Sequence, residues 1–217
     1  GGFAEYACVD ENRFVRKPAN LSFEEAAAVP MAALTALQAL RDKGLIKAGQ
    51  KVLINGASGG VGTFAVQIAK SFDTEVTGVC GTTKMDLVRS IGADHVIDYT
   101  QEDVTKNGKL YDLIFDVAAY RSISEYKRIL SSGGIYVLAG GSMPRILQLM
   151  LKSMTGAKNM RLVVANANQK DLLSIIELMN AGKVKSIIDK RYPLSETAEA
   201  LRYVEEGHAR GKVVIVV

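Results

Sequence analysis

The sequence predicts an α/β protein whose main element is a doubly wound parallel sheet. Two observations support this prediction. An apolar run over residues 52–54 ends in the glycine-rich segment 55–62, and a helical pattern follows over residues 63–70. Short apolar segments and helical patterns then alternate as far as residue 164. This alternation is typical of parallel strands that are joined by crossover helices on both faces of a sheet.

The glycine-rich segment has the composition of a phosphate-binding turn. Glycines permit a tight turn and let pyrophosphate approach the backbone, and free N–H groups at the following helix N-terminus bind phosphate oxygens. The glycines are at 56, 59 and 62, with an extra one at 60, and this departs from the plain G-x-G-x-x-G spacing, so an ordinary glycine-rich turn is the alternative. The first interpretation predicts a dinucleotide-binding βαβ unit of a Rossmann sheet. Its phosphate-contact candidates are Ser58, Gly59, Gly60 and Val61.

Before this turn, the chain is predicted to form two short strands and two helices. The strands cover residues 2–9 and 13–17. Ser22, followed by a glutamate three residues later, has the pattern of a capping box, so a helix begins there and ends near Pro30. A second helix, at about residues 31–42, is apolar on its leucine-bearing side.

After the turn, predicted strands alternate with predicted helices. The strands cover residues 75–80, 95–97, 113–117, 134–141 and 161–164, and the helices cover residues 84–91, 122–130 and 171–180. A last β-α-β piece, with strands at 186–191 and 212–217 around a helix at 195–206, need not belong to the main sheet. The Met- and Leu-rich segment 143–158 is interpreted as a helix packed on its own domain, or alternatively as a mobile lid or subunit contact.

Composition restricts the class of protein. The chain has 217 residues, of which 48% are hydrophobic, which is enough for a well-buried core. Its net charge is +4, but lysines and arginines are spread along the chain, so the sequence does not indicate nucleic-acid binding. No apolar run has transmembrane length and no signal peptide is evident, so no membrane association is expected. Cys8 and Cys80 lack paired spacing, which predicts a reducing, cytoplasmic location and no zinc knuckle.

The end of the second predicted strand indicates the cofactor. An NAD site usually has an acid there to bind the ribose hydroxyls, but this strand runs into Gly81, Thr82, Thr83 and Lys84. Two hydroxyls and an ammonium group suit a 2′-phosphate, so the sequence favours NADPH over NADH. Tyr99, after the third strand, is expected to border the adenosine phosphate. The alternatives are a solvated helix residue for Lys84 and an exposed loop residue for Tyr99.

Two further strand ends are expected to line the path of the nicotinamide. One is the segment 116–118, which contains Val117, and the other is the pair Gly140 and Gly141 after the fifth strand. Ligands of open parallel sheets bind in the crevice at the carboxyl ends of the strands, which is why these positions are chosen. The alternative for the two glycines is an ordinary loop start.

Several stretches of the chain resemble one enzyme family. They are residues 2–6, 28–30 with 35–36, N-G-A-S-G-G-V-G at 55–62, 92–94, 97–99, 133–134 and G-H-A-R-G-K at 207–212. Together they resemble the medium-chain dehydrogenases/reductases, in the zinc-independent quinone-oxidoreductase branch. The ending is most similar to the mitochondrial, reticulon-interacting oxidoreductases and their bacterial relatives. The resemblance implies NADPH contacts by Ser58, Gly60, Val61, Lys84, Tyr99, His208, Ala209 and Arg210, and Thr35 in a matching stretch is a further candidate.

The resemblance also implies a domain organisation. Family members begin with a GroES-like catalytic domain that covers the nicotinamide. By this comparison residues 1–20 are its last strands, residues 21–186 are the dinucleotide-binding domain, and residues 187–217 return to the catalytic domain. The resemblance further implies a homodimer through the sheet edge. Zinc-dependent relatives have a cysteine ligand just after the proline that matches Pro30, where this chain has Met31, so no zinc is expected unless its ligands lie in a segment not included here.

The expected reaction is hydride transfer. A chain without zinc ligands offers no Lewis acid to polarise a simple alcohol or ketone, so the acceptor is expected to be an activated small molecule, a quinone or an α,β-unsaturated carbonyl. The catalytic residues are not identified. The alternatives are a non-catalytic NADPH-binding interaction module and a zinc-containing alcohol dehydrogenase. A methyltransferase is disfavoured because it would normally need an acid after the second strand.

Overall fold

A six-stranded sheet forms the centre of the protein in a computed structural model, which describes residues 2–154 and 158–217. Its strands are β1 (Lys51–Asn55), β2 (Glu75–Cys80), β3 (His95–Asp98), β4 (Tyr111–Asp116), β5 (Leu130–Ala139) and β6 (Met160–Val163). All neighbouring strands pair in parallel, in the order β3-β2-β1-β4-β5-β6. This order confirms the predicted doubly wound Rossmann sheet.

Helices cover both faces of the sheet. They are α1 (Phe23–Ala28), α2 (Pro30–Gln38), α3 (Gly60–Ser71), α4 (Met85–Ser90), α5 (Ile123–Arg128), α6 (Met143–Met154), α7 (Gln169–Asn180) and α8 (Thr197–Glu205). Successive residues of β1 pack into opposite layers. Val52 and Ile54 join the apolar cluster of α2, α3 and α7, whereas Leu53 joins the cluster of α5 and α6. A strand buried on both faces in this way reads as the continuous apolar run seen in the sequence.

Local signals place the first two helices as predicted. The Glu25 N–H donates to Ser22 Oγ at 3.0 Å, and the Ser22 N–H donates to Glu25 Oε2 at 2.8 Å, which confirms the capping box at the start of α1. Pro30 is the first residue of α2, a position where a missing N–H costs no helical hydrogen bond. A π-helical turn, Ala39–Lys43, continues α2 to the end that the leucine pattern indicated.

The two strands predicted near the start of the chain are wrong. Residues 2–17 form an extended segment with a single 3-10 turn, Glu11–Arg13, and no ladder pairs with them among the described residues. The apolar side chains of Phe3, Tyr6 and Val9 are exposed. Alternating apolar residues predict a strand only where a neighbouring strand supplies hydrogen bonds, and the segment has no such neighbour here.

The last β-α-β piece forms a sheet of its own, as the sequence analysis allowed. β7 (Ile188–Pro193) and β8 (Lys212–Val216) pair in parallel, and α8 connects them. The piece is joined to the glycine-rich turn by a bridge between Gly59 and Gly211, in which the Gly211 N–H donates to the Ser58 carbonyl at 2.9 Å. This contact brings the loop 207–211 to the carboxyl edge of the large sheet.

The Met- and Leu-rich segment is helical over Met143–Met154, and the part of the prediction at 155–157 lies outside the described residues. Leu149 is buried against its own domain, whereas Met143 and Leu147 are exposed. The packed side supports the first interpretation, and a role as a lid or subunit contact stays untested. Among the described helices, none is long and apolar enough to span a membrane.

Close backbone contact between α3 and the preceding turn fixes the start of α3. Gly56 has a φ of +87°, a conformation that glycine adopts readily. A Cβ atom at Gly62 would lie 2.0 Å from the Gly56 carbonyl oxygen and 2.8 Å from the Ala57 Cα atom. Because both contacts are to backbone, no side-chain rotation can relieve them. The first turn of α3 therefore lies directly on the glycine-rich turn.

Gly62→Ala is predicted to lower the free energy of unfolding by about 2–3 kcal/mol, because the added methyl group overpacks a rigid backbone contact. Gly59→Ala is the matched control in the same turn. A Cβ atom there meets only the Gly56 oxygen, at 3.5 Å, so its cost should stay below about 1 kcal/mol. Urea unfolding of both variants measures the difference. Equal stability losses would contradict the close-approach explanation.

Candidate functional site

A cleft of about 730 Å³ lies at the carboxyl ends of β1, β2 and β4. The loop after β3 and the loop before β8 form its outer walls. It is lined by Asn55, Gly56, Ser58, Gly59, Val79, Cys80, Gly81, Thr82, Thr83, Lys84, Tyr99, Thr100, Val117, Ala118, Tyr120, Gly207, His208 and Ala209. Its position is the one where open parallel sheets bind their ligands.

Many of the residues predicted from sequence meet in this cleft. They are Ser58, Gly59, Gly81, Thr82, Lys84, Tyr99, Val117, His208 and Ala209. They come from four strand ends and from the loop before β8, which are far apart in the sequence. The structure thus brings them together at one edge, and their contact with a cofactor stays a prediction.

Other predicted residues lie outside the lining of the cleft. The Thr35 hydroxyl donates to the Met31 carbonyl within α2, at 2.7 Å. Gly60 and Val61 form the first turn of α3. The Arg210 side chain is exposed, and its backbone N–H donates to Asp189 Oδ2 at 2.9 Å.

Gly140 and Gly141, predicted to line the nicotinamide path, follow β5 with φ values of +75° and +105°. They lie outside the main cleft. A Cβ atom at Gly141 would lie 3.2 Å from the Ala119 Cβ and 3.5 Å from the Arg145 Cδ. Their observed environment is therefore a tight turn packed against the loop after β4 and the start of α6.

Lys212 lies beside the cleft, outside its lining residues, and sequence reasoning did not select it. An ideal Cβ atom at Gly60 would lie 3.0 Å from the Lys212 Cδ and 3.6 Å from its Nζ, so this ammonium group lies over the N-terminus of α3. Burial lowers the pKa of Lys212, and no described carboxylate offsets that effect. A partly buried cation beside unpaired helix N–H groups makes this end of the cleft suited to an anion.

Lys84 joins the end of β2 to the loop before β8. Its Nζ donates to the carbonyls of Gly207 and Ala209, both at 3.3 Å. The side chain is thus held at the cleft wall, in contrast to the solvated helix residue considered from the sequence. Because an ammonium group has three N–H donors, one remains for a further acceptor.

No acid follows β2 in the chain, but an acid from the neighbouring strand lies beside the end of β2. The register pairs Cys80 of β2 with Asp98 of β3, and the Thr82 hydroxyl donates to Asp98 Oδ2. The other carboxylate oxygen accepts from the N–H and the hydroxyl of Thr100, at 2.9 and 2.8 Å. Spacing along the chain does not reveal Asp98, because this residue belongs to the neighbouring strand β3.

Two aromatic side chains stand next to each other in the wall of the cleft. The Tyr99 and Tyr120 rings are 5.8 Å apart between centroids and tilted by 53°. Both side chains are half exposed, so Tyr99 is neither buried nor an isolated loop residue. Such a pair offers flat apolar surface to an aromatic ligand. Tyr120 was not predicted, because no spacing rule selects one aromatic residue in the loop after β4.

A buried polar network holds the ends of β1, β4 and β5 together. Asp116 is fully buried and accepts from Asn55 Nδ2 at 2.7 Å, from the Tyr136 hydroxyl at 2.7 Å and from the Ala119 N–H at 2.9 Å. Arg145 from α6 forms an ion pair with it at 2.8 Å and also donates to the Ala119 carbonyl. Such a shared carboxylate fixes the relative positions of three strand ends.

This network has electrostatic consequences at the floor of the cleft. Burial, together with the neighbouring Asp116, raises the pKa of Tyr136 well above its usual range, so its hydroxyl remains a donor. Asn55 lines the cleft, and its Oδ1 atom is a buried acceptor without a hydrogen-bond partner among the described residues. Burial raises the pKa of the Cys80 thiol to about 11, which makes it an unreactive part of the wall.

Metal-ligating side chains do not cluster in the part of the chain that the structure describes. His95 lies 3.1 Å from Glu75 at the opposite end of the strands from the cleft. The position after Pro30 is occupied by the exposed Met31.

Comparison with known proteins identifies similar chains. The zinc-binding dehydrogenase family model matches residues 91–215. The chain is 37% identical to a chloroplastic quinone oxidoreductase, QR1, of Triphysaria versicolor, over 99% of this chain and 68% of that protein. It is 36% identical to the mitochondrial NAD(P)H oxidoreductase RTN4IP1 of Bos taurus, over 99% of this chain and 61% of that protein.

The fold has solved counterparts as well. The quinone oxidoreductase structure from Coxiella burnetii matches with a TM-score of 0.81 and 28% identity, over 94% of this chain and 63% of that one. The chain therefore spans about two thirds of the length of the proteins that it matches.

Arg145→Met is predicted to lower the free energy of unfolding by about 3–5 kcal/mol, because it leaves the Asp116 carboxylate buried without its cation. Adding Asp116→Asn to this variant should recover part of the loss. Arg89→Met is the control, since Arg89 pairs with Asp86 on the exposed surface and its loss should cost less than about 0.5 kcal/mol. Chemical denaturation measures all three. An Arg145→Met cost below about 1 kcal/mol would contradict the role of the network.

Proposed function

We propose that this chain, which belongs to the zinc-binding dehydrogenases of the medium-chain dehydrogenase/reductase family, binds NADPH and delivers a hydride to a quinone or an α,β-unsaturated carbonyl. We further propose that the reaction proceeds without zinc, in spite of the description of the family. An oxidoreductase role is supported by relatives that are themselves named oxidoreductases. The preference for NADPH, the independence of zinc and the class of acceptor are the finer parts of the proposal.

The geometry of the glycine-rich turn at the start of α3 is the observation that supports the proposal most directly. The first N–H groups of α3 have no partner within the helix. Gly60 has no side chain, so phosphate oxygens can approach the backbone there, and Lys212 supplies an ammonium group over the same helix end. A dinucleotide cofactor brings two negative phosphates to such a position.

The adenosine end of the cleft supports NADPH. Lys84 is fixed by two carbonyls and keeps one N–H for a 2′-phosphate oxygen. A charged hydrogen bond of this kind contributes about 1.5–3 kcal/mol, or roughly 10- to 150-fold in affinity. Tyr99 and Tyr120 provide a wall for the adenine or its ribose.

The described residues bind and orient the cofactor. A nicotinamide supplies the hydride when it is bound. Val117 and Ala118 line the other part of the cleft beyond β4, where their small apolar side chains leave room for a flat ring and exclude water from it. The Asp116 network beneath them keeps this wall rigid. The structure-based roles are therefore positioning roles, and no catalytic residue is assigned.

Assembly and location are further parts of the proposal. The outer strands β3 and β6 have one free edge each among the described residues. A free edge can pair with another chain, so we retain a homodimer through the sheet edge as the proposed assembly. A reducing compartment is proposed from the two free cysteines, Cys8 and Cys80.

The test offers the protein NADPH together with a panel of small quinones and enones. The decrease in NADPH absorbance measures the rate of oxidation. We expect turnover with these acceptors and none with a saturated ketone of similar size. Turnover should continue at the same rate after a chelator has removed metal ions, and elemental analysis should find no stoichiometric zinc. Gly60→Val, which places a side chain against Lys212, should lower the rate at low NADPH by at least about tenfold.

Two outcomes would contradict this function. Tight binding of NADPH without turnover of any acceptor would favour a non-catalytic binding module. Oxidation of simple alcohols that requires about one zinc per chain would favour a zinc alcohol dehydrogenase. Each outcome corresponds to one of the alternatives that the sequence left open.

A further inference from the structure

The Asp98 carboxylate occupies an unusual place at the adenosine end of the cleft. It is buried at the end of β3 and lies directly beneath Thr82, which lines the cleft. One carboxylate oxygen accepts from the Thr82 hydroxyl, and the other accepts from the N–H and hydroxyl of Thr100. Both oxygens are therefore engaged by groups on the cleft rim.

The direction of these hydrogen bonds fixes the polarity of the rim. An ionised carboxylate only accepts, and a threonine hydroxyl has a single proton to donate. Because Asp98 accepts from both hydroxyls, neither threonine has a proton left for the 3.3 Å contact between the two hydroxyl oxygens, and the lone pairs of Thr82 Oγ1 are available to the cleft. The hydrogen bond from Thr82 lowers the pKa of Asp98, which keeps the carboxylate ionised at neutral pH.

We propose that Asp98 determines how the cleft distinguishes a ribose 2′-hydroxyl from a 2′-phosphate, by holding the Thr82 hydroxyl as an acceptor. This inference rests on the proposed function, because it assumes that a nicotinamide dinucleotide occupies the cleft. Asp98 acts here as a positioning and specificity-determining residue. It does not touch the reacting atoms.

The Thr82 hydroxyl is expected to interact favourably with NADH and unfavourably with NADPH. A free 2′-hydroxyl donates its proton to Thr82 Oγ1 and gains a hydrogen bond. A 2′-phosphate brings only acceptor oxygens and faces the Thr82 lone pairs, with the Asp98 charge behind them. Lys84 opposes this effect with its remaining N–H. Selectivity for NADPH is thus the balance of Lys84 against Asp98, and it is weaker than the lysine alone would give.

Thr82→Val removes the hydroxyl at nearly constant volume and tests this balance. The probes are adenosine 5′-monophosphate and adenosine 2′,5′-bisphosphate, which differ only in the 2′-phosphate, with calorimetry on the full chain at one ionic strength. We expect weaker binding of the monophosphate and equal or tighter binding of the bisphosphate. The ratio of the two dissociation constants should shift about three- to tenfold toward the bisphosphate. Thr82→Ser keeps the hydroxyl and should stay within about twofold of the wild type.

Asp98→Asn is the second variant. Its amide donates to Thr82 Oγ1, which releases the hydroxyl proton toward the cleft and removes the buried charge. The ratio should again shift toward the bisphosphate. The shift should be smaller in the Thr82→Val background, because the hydroxyl that carries it is then absent. Since Thr82 is exposed, Thr82→Val decides the question even if Asp98→Asn fails to fold.

The contradicting results are distinct from a failure of the proposed function. A ratio that moves toward the monophosphate in Thr82→Val would mean that this hydroxyl donates to the 2′-phosphate, which overturns the inference. An unchanged ratio in that variant would overturn it too. If the wild-type protein binds neither probe and neither NADPH nor NADH, the proposed function is wrong and this inference falls with it.

Discussion

The backbone contact between Gly62 and Gly56 is the constraint on which the rest of the site depends. It allows α3 to begin directly on the turn after β1, so the unpaired N–H groups of the helix face the carboxyl edge of the sheet. The same turn is held from outside by Gly211, whose N–H donates to the Ser58 carbonyl. That link places Lys212 over the helix end. A side chain at Gly56 or Gly62 would displace the start of α3, and with it the loop before β8 and the Lys212 ammonium group.

Buried carboxylates organise the two halves of the cleft in the same manner. Asp116 holds the ends of β1, β4 and β5 through Asn55, Tyr136 and Arg145. Asp98 holds the rim beside β2 through Thr82. Each acid comes from a strand end and accepts from groups on neighbouring elements. The pairing of the strands therefore determines where these side chains lie. This arrangement costs desolvation, and the hydrogen bonds offset that cost only while every partner is present.

The sequence predicted the sheet, the helices and half of the cleft lining, because these follow from local periodicity and from the rule that ligands bind at strand ends. It did not select Tyr120, which lines the cleft, or Asp98 and Lys212, which lie beside it. Their positions depend on strand order and on the docking of the last β-α-β piece, neither of which leaves a spacing signal. The strands expected near Phe3 and Val9 failed for a related reason, since a strand requires a neighbour that local periodicity cannot guarantee.

The most direct test of this account is the affinity of the Lys212→Met variant for NADPH and NADH. Both cofactors share the pyrophosphate, so the account predicts that both bind about 10- to 150-fold more weakly and that their ratio is preserved. Lys84→Ala should instead weaken NADPH alone, and the exposed Lys170→Met should change neither. Unchanged affinity for both cofactors in a folded Lys212→Met protein would contradict the placement of the phosphates at the start of α3.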